Sequence, residues 1–457
     1  MNLFRLNTSP CVVAMSLEKL SLCVLMTQSG KTFVAVEKIK ERLAADPTSV
    51  HVVYTMNTLL NNFQFAKRLE SIETDHGVGS VLVVASKYMG PYRHVATDKA
   101  LQESVRTQMP RVLILCSHHK RFRQGHEWVE QIVSLQPELQ IHLYYDELHQ
   151  YMKRSLRLQL EHIHSLPHVV SMMALTATPR KMFHKRGKWS LLHMVTSEQT
   201  TAMDQYARLE NMTHVAMDAY FDLPYVKPVF NDFEKMDEET IGFLEHVLDA
   251  HPEILAAGNR VFLPAHVRRS GHVTVRDVVL ERCPEAVVVV LNAQEKSIVF
   301  EIKGMLHKMS LLSNVEVSER IAQIMTMFNL LDRTLVITGF LCVGMGQTIT
   351  HRAFGNITHT VLSHMNLGND AIYQLVGRVT GRHMNWPTYR STRLYCPTVI
   401  HNRVKVMEEC AAAVFKKLNV TKEVYQLPVY EMPEGVDVQE NDSKMKHKEE
   451  DFLEEIE

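Results

Sequence analysis

"LCVLMTQSGKTF", residues 22 to 33, sets Gly30-Lys31-Thr32 directly behind an apolar run. The run has the length and composition of a buried strand, and "GKTFVAVEKIKERLAA" after it has helical periodicity. A strand that turns tightly into a helix leaves free backbone N–H groups, and the positive end of the helix dipole, facing one point. That arrangement suits an anion. Gly30 lets the backbone approach a phosphate chain, Lys31 sets an ammonium on its β- and γ-phosphates, and the Thr32 hydroxyl suits Mg²⁺. The stricter phosphate loop begins with a glycine where this chain has Leu25, so a plain helix N-terminus with an exposed lysine stays open on this segment alone.

Outward from this segment, short apolar runs alternate with amphipathic ones. "HVVYTM" (51–56), "SVLVVAS" (80–86), "RVLILC" (111–116), "IHLYY" (141–145) and "VVSMMAL" (169–175) read as parallel strands covered on both faces. A second series follows in "RVFLPA" (260–265), "EAVVVVLNA" (285–293), "RTLVITG" (333–339), "THTVLSH" (358–364) and "RLYCPTV" (393–399). The reading is α/β, with two domains that each hold a mostly parallel sheet flanked by helices. The domains are expected at 1–195 and 241–400, with a linker at 196–240, a closing helix at 401–431 and a charged, disordered tail at 432–457.

Bulk composition narrows the function classes only modestly. The chain has 457 residues, too many for one core, and a formal net charge of -1, so any polyanion must be held by local basic patches. Its seven cysteines form no C-x-x-C pair, which fits free thiols in a reducing compartment and argues against structural zinc. No apolar stretch approaches about 18 residues, the span a membrane helix needs. The expectation is a soluble intracellular protein without a membrane partner.

Hydrolysis of a nucleotide also needs carboxylates beside the phosphates. Asp146 and Glu147 follow the run "IHLYY" and can divide the work, one toward the metal and one toward the attacking water. Capping of a following helix by Asp146 is the alternative. The next strand ends in "ALTATPR", residues 174–180.

"MTQSGKT", "DELH" and "TATP", in this order and each after an apolar run, resemble motifs I, II and III of superfamily 2 helicases, the DEAD/DExH-box class. "RVFLPA" resembles motif IV, "VITGFLCVGMGQTI" motif V and "YQLVGRVTGR" motif VI. The resemblance spans about residues 21–385, and the short chain with atypical motifs suits a virus- or phage-type member. It implies two RecA-like domains with ATP in the interdomain cleft. Thr27, Gln28, Ser29, Gly30, Lys31 and Thr32 would then form the nucleotide loop, with Thr32 and Asp146 on Mg²⁺ and Glu147 activating water. His149, Thr176, Thr178, Thr338 and Gly346 would couple the nucleotide to movement, and Gln374, Arg378 and Arg382 would serve at the γ-phosphate. An arginine finger has a physical reason: charge builds on the transferred phosphoryl oxygens, and a planar guanidinium meets it bidentately.

Three departures stand out. Gln28 occupies a place where glycine is usual, Arg382 comes one residue later than the second arginine of motif VI, and no glutamine lies upstream of the first strand. The last favours a DExH-like member over a true DEAD-box protein. On a helix, spacings of three and four share a face, so Arg382 is still expected to reach the cleft.

Two segments mix basic and aromatic residues, "SHHKRFRQGHEW" (117–128) and "RKMFHKRGKW" (180–189). Lys120, Arg121, Arg123, Lys185 and Arg186 would neutralise phosphates while Phe122, Phe183 and Trp189 stack on bases, if these segments are loops. A solvated loop with its ring packed underneath is equally open. The activity expected is an ATP-dependent helicase or translocase on DNA or RNA, acting alone or with partner proteins in a replication, transcription or packaging complex. An ATP-binding nucleic-acid clamp, or a motor subunit without unwinding of its own, is the alternative.

Overall fold

The computed structural model describes residues 20–55, 59–85, 93–116, 119–147, 162–178, 193–194, 203–221, 232–266, 268–292, 294–313, 315–340, 348–363 and 367–421. The chain divides into two compact units, with the main division at Met203/Asp204; residues 315–316 and 410–421 group with the first unit.

Among its described residues the first unit holds one eight-stranded sheet in the order β4-β3-β5-β2-β6-β7-β1-β8. The strands are β1 (Leu20–Val24), β2 (Val50–Thr55), β3 (Val81–Val84), β4 (Arg93–Val95), β5 (Val112–Cys116), β6 (Ile141–Asp146), β7 (Val169–Thr176) and β8 (His193–Met194). Every pairing between them is parallel. Successive side chains of a strand point to opposite faces, and here each face is covered. Val52, Tyr54, Leu143, Tyr145 and Ala174 lie in one core, and Val53, Tyr144, Met173 and Leu175 in the other. Burial on both sides is why the runs are apolar throughout and do not alternate. The helices are α1 (Lys31–Ala45), α2 (Leu59–Arg68), α3 (Glu70–His76), α4 (Asp98–Thr107) and α5 (His119–Leu135).

The second unit also holds an eight-stranded sheet, ordered β10-β18-β16-β11-β15-β12-β13-β14. These strands are β10 (Thr213–Ala216), β11 (Arg260–Phe262), β12 (Val287–Leu291), β13 (Lys296–Ile302), β14 (Met305–Ser310), β15 (Leu335–Gly339), β16 (His359–Val361) and β18 (Arg393–Cys396). From β10 to β12 the sheet is parallel, whereas β12-β13 and β13-β14 are antiparallel. The hairpin β13-β14 was not read from the sequence. Its turn is Lys303-Gly304, both with positive φ (53° and 75°), a two-residue connection that matches the twist of paired strands. The helices of this unit are α6 (Phe233–Ala250), α7 (Arg269–Arg282), α8 (Val317–Met327), α9 (Asn369–Val376) and the first half of α10 (Thr398–Thr421), up to Glu409. A small separate ladder joins β9 (Tyr206–Ala207) to β17 (Gly381–Arg382).

The linker reading needs correction. Residues 204–221 belong to the second unit, where β10 pairs in register with β18 and β9 with β17. A polar, proline-containing stretch suggested a connector, but the backbone hydrogen bonds of an edge strand require little side-chain hydrophobicity. α10 overlaps the stretch 401–431 expected as a closing helix, and residues 422–457, the expected tail among them, lie outside the described residues.

Candidate nucleotide site

The strand order β6-β7-β1 sets three expected motifs side by side at the C-terminal ends of neighbouring strands. Val24 is in register with Thr176, and Leu175 with Asp146. The Leu25 N–H donates to the Thr176 carbonyl at 3.2 Å, extending the ladder one residue into the loop. In open parallel sheets this edge is where the connecting loops leave room for a ligand.

The loop between β1 and α1 is a tight turn. The N–H of Ser29 donates to the Met26 carbonyl at 3.3 Å, and the Ser29 hydroxyl donates to the same oxygen at 2.5 Å. Thr27 and Gln28 are therefore the central pair of a turn, and Gln28 stands where positive φ is demanded, at φ 57°. Glycine is usual there because it enters this region without strain. Glutamine accepts the same backbone path at a cost of about 1 kcal/mol, so the loop keeps its shape despite the substitution.

Gly30 follows with φ 104° and caps α1 from outside the helix, its carbonyl accepting the Val34 N–H at 3.1 Å. Its side chain could not supply a cap, so the first N–H groups of α1 point out of the helix without a side-chain acceptor from the capping residue. Thr27 and Ser29 are buried, and Lys31 and Thr32 are half-buried. Behind the loop, burial pushes the Cys23 thiol up to about 12, opposed by the nearby Lys31 charge.

Opposite the loop, Asp146 ends β6 and Glu147 follows it with φ 54°. A β-unbranched acid in the left-handed region is uncommon, and such conformations concentrate where geometry serves a site. Glu147 Oε1 lies 3.6 Å from Lys31 Nζ, with only 8% and 10% of the two side chains exposed. Thr176 and Thr178, at and just beyond the end of β7, are fully buried, and the Thr178 N–H donates to Thr176 Oγ1 at 3.0 Å. The donors here are a hydroxyl at Thr32 and a carboxylate at Asp146, hard oxygens of the type Mg²⁺ takes along with phosphate and water. Among the described residues no group of three or more His, Cys, Asp and Glu could hold a metal by itself. A metal completed by substrate oxygens and water fits that donor set.

In the second unit Gln374 lies in α9, and Arg378 lies just past its end. Arg378 is 4% exposed, and its Nε donates to the Gln374 carbonyl at 3.3 Å. Arg382 does not share a helix face with it. α9 ends at Val376, the chain turns through Gly377–Thr380, and Arg382 is in β17. The shared-face argument fails because Gly377 and Gly381 bracket a turn, and Gly381 takes φ 139°. Thr338 is fully buried near the end of β15. His149, Gly346, Lys185, Arg186, Phe183 and Trp189 lie outside the described residues.

The first basic and aromatic segment is a helix and not a loop. α5 packs on the first sheet, with Phe122 fully buried against Tyr54 at 4.9 Å between ring centroids and Trp128 buried in the same core. Gly125 lets it approach: a Cβ there would meet Tyr54 Oη at 2.7 Å. Phe122 is therefore closed to a base. Arg121 donates to the Ala96 carbonyl and to Gln124 Oε1, each at 3.1 Å, and exposed Arg123 pairs with Glu127 at 3.6 Å. Lys120 starts the same helix, its side chain outside the described set.

No family model matches the sequence, and no curated protein matches it. Solved structures do. The ATP-dependent Type ISP restriction-modification enzyme LlaBIII bound to DNA superposes with TM-score 0.51 at 12% identity, over 98% of this chain and 33% of that one. The chain shares the fold of the matched third of that enzyme. Two further matches are the helicase MrfA bound to DNA and AMPPNP (TM-score 0.45, 13% identity, 97% of this chain and 57% of that one) and Mss116p bound to ssRNA and AMP-PNP (0.48, 9%, 86% and 69%). This chain thus spans a third of the length of the restriction enzyme and little over half that of MrfA. The expected α/β architecture is present, with one mostly parallel sheet flanked by helices in each unit. No helix among the described residues is long and apolar enough to cross a membrane.

Proposed function

We propose that this protein is an ATP hydrolase that uses the nucleotide to drive movement on, or strand separation of, DNA or RNA. The observation that carries the reading is the buried Lys31–Glu147 pair at the shared edge of β1, β7 and β6. A lysine and a glutamate drawn from separate loops, one on a helix N-terminus and one held at positive φ, match what phosphoryl transfer needs: a cation for the phosphates and a base for water.

In this reading the N–H groups at the start of α1 and the Lys31 ammonium bind the phosphates. Lys31 exchanges Glu147 for phosphate oxygen when ATP enters, which frees the Glu147 carboxylate to orient water and take its proton. Thr32 and Asp146 would hold Mg²⁺, which when bound would neutralise charge on the phosphate oxygens. Thr176 at the end of β7 and Thr178 just beyond it sense which nucleotide occupies the adjacent loop. The nucleic acid is held by basic side chains and not by stacking on Phe122.

The test is phosphate release with single-stranded DNA, duplex DNA or RNA present. Stimulated turnover in wild type, and none in Lys31→Ala, is expected; equal rates in the two would overturn the reading. A motor lacking intrinsic unwinding is a second reading, favoured by the superposition on one third of a much longer DNA-bound enzyme. It predicts ATP hydrolysis without unwinding of a tailed duplex.

A further inference from the structure

Phe33 follows Lys31 and Thr32 on the first turn of α1, and 41% of it is exposed. Among the described residues no other phenylalanine, tyrosine or tryptophan is exposed. Val34, Val36, Ile39 and Leu43 form the buried face of α1, and Phe33 stands off it. Glu37 and Lys40, four and seven positions further on and so on the same side of the helix, pair with each other at 3.4 Å. That side of α1 is a charged, solvent-facing one, and core packing does not account for a ring at its head.

Helix geometry relates the ring to the phosphates. The first helical bond runs from the Val34 N–H to the Gly30 carbonyl at 3.1 Å, so the N–H groups of Lys31, Thr32 and Phe33 lie ahead of the ladder, at the anion-binding end. Glu147, the proposed activator of water, approaches Lys31 at 3.6 Å, which sets the terminal phosphate on that side of the turn. Phe33 is two residues on, about 200° round the helix axis from Lys31. It therefore lies where the rest of the nucleotide leads away from the reacting end. Helical side chains tilt toward the N-terminus, which carries the ring toward the loop.

We propose that Phe33 is the base-contacting residue of the nucleotide site, its ring stacking on the nucleobase while the loop holds the phosphates. The inference rests on the proposed hydrolase reading and extends it from the phosphate chain to the nucleoside. A ring reads a base by its π-face, which every base has, so selection follows the size of the base and not its hydrogen-bonding edge. Adenine and guanine nucleotides are then held about equally, and cytidine nucleotides less tightly.

The experiment titrates the full chain, with Mg²⁺ present, by calorimetry. The probes are AMPPNP, its guanosine and cytidine counterparts, and inorganic tripolyphosphate, which carries the phosphate chain with no base. Phe33→Ala places a good helix former at an exposed helical position, so the fold should survive; a melting temperature near that of wild type checks this. Its expected affinity for AMPPNP is about tenfold below that of wild type, with tripolyphosphate binding unchanged. Phe33→Trp should keep the AMPPNP affinity and add a signal, an indole emission that AMPPNP quenches, that tripolyphosphate leaves alone and that wild type lacks.

Unchanged AMPPNP affinity in folded Phe33→Ala overturns the inference and leaves the phosphate site intact. So does an equal loss for AMPPNP and tripolyphosphate, which would make the ring a support of the loop and not a contact to the base. Wild type that binds neither AMPPNP nor tripolyphosphate overturns the hydrolase reading and this inference together.

Discussion

Lys31 and Glu147 face each other at 3.6 Å across the edge of the first sheet, although 116 positions separate them in sequence. Their nearness is a product of strand order: β7 lies between β1 and β6, and the loops after β1 and β6 both open over its end. In a site largely closed to water, each charge balances the other. A triphosphate must compete with Glu147 for the Lys31 ammonium. Glu147→Gln should therefore bind ATP at least as tightly as wild type while kcat falls by about 10²–10⁴-fold, the usual contribution of a general base. Isothermal titration and single-turnover hydrolysis measure the two halves separately. Weaker binding together with retained turnover would remove Glu147 from the proposed role.

Gln28 at φ 57° makes a separate claim about the loop. Gln28→Gly should relieve left-handed strain, offset in part by a more flexible unfolded chain, for a net gain of about 0.5–1 kcal/mol in unfolding free energy. Chemical denaturation reads the change. A loss of stability would mean that the glutamine side chain contributes more than its backbone strain costs.

Four buried histidines give the fold an acid limit. Burial lowers His126 to about 3, and His142, His359 and His383 to about 4, from an ordinary 6.5. The folded state keeps these rings neutral while the unfolded chain takes up protons from pH 6.5 downward, so their contribution is present above pH 6.5 and is lost as pH falls toward 4. For His142, stacked on His51 at 4.9 Å between ring centroids and 2.7 Å from Ser171 Oγ, the difference amounts to about 3 kcal/mol. His142→Asn should flatten the fall in unfolding free energy between pH 6.5 and 4 relative to wild type. An identical pH slope in the two proteins would contradict the assignment.

Glu408 acts with the opposite sign. Burial raises its carboxyl to about 7 from 4.5, with the Leu209 N–H and the Arg208 charge opposing. The stability it contributes is full below pH 4.5 and lost as pH rises through 7. Glu408→Gln keeps an acceptor for Leu209 and does not titrate. Its stability relative to wild type should improve by on the order of 2 kcal/mol between pH 5 and 8, as read by thermal denaturation at both pH values.

Phe122 belongs to the core and not to a nucleic-acid surface. Phe122→Ala should cost about 3–5 kcal/mol of stability. The milder Phe122→Leu should lower the melting temperature without altering the affinity of the folded protein for single-stranded DNA or RNA, measured by fluorescence anisotropy. A large affinity loss at unchanged stability would return the ring to the binding surface.

The sequence by itself determined the fold class and most of the strands. Runs such as "VLILC" and "VVVVL" are apolar at every position because both faces of a parallel sheet are covered, and that pattern is local. The loop at 25–30 was legible for a similar reason, since a strand, a tight turn and a helix start are all short-range events. Three things were decided only by tertiary structure. Phe122 and the arginines around it read as a binding loop, but the sheet beneath α5 buries the ring, and periodicity over a few residues could not reveal that neighbour. Residues 204–221 read as a linker, yet backbone hydrogen bonds to β17 and β18 make them part of the second unit, and such bonds leave little trace in side-chain composition. Arg382 read as a helical companion of Arg378, whereas the helix stops at Val376 and Tyr206 holds the chain on a different path. Each of the three depends on what a segment packs against, which the order of residues along the chain does not state.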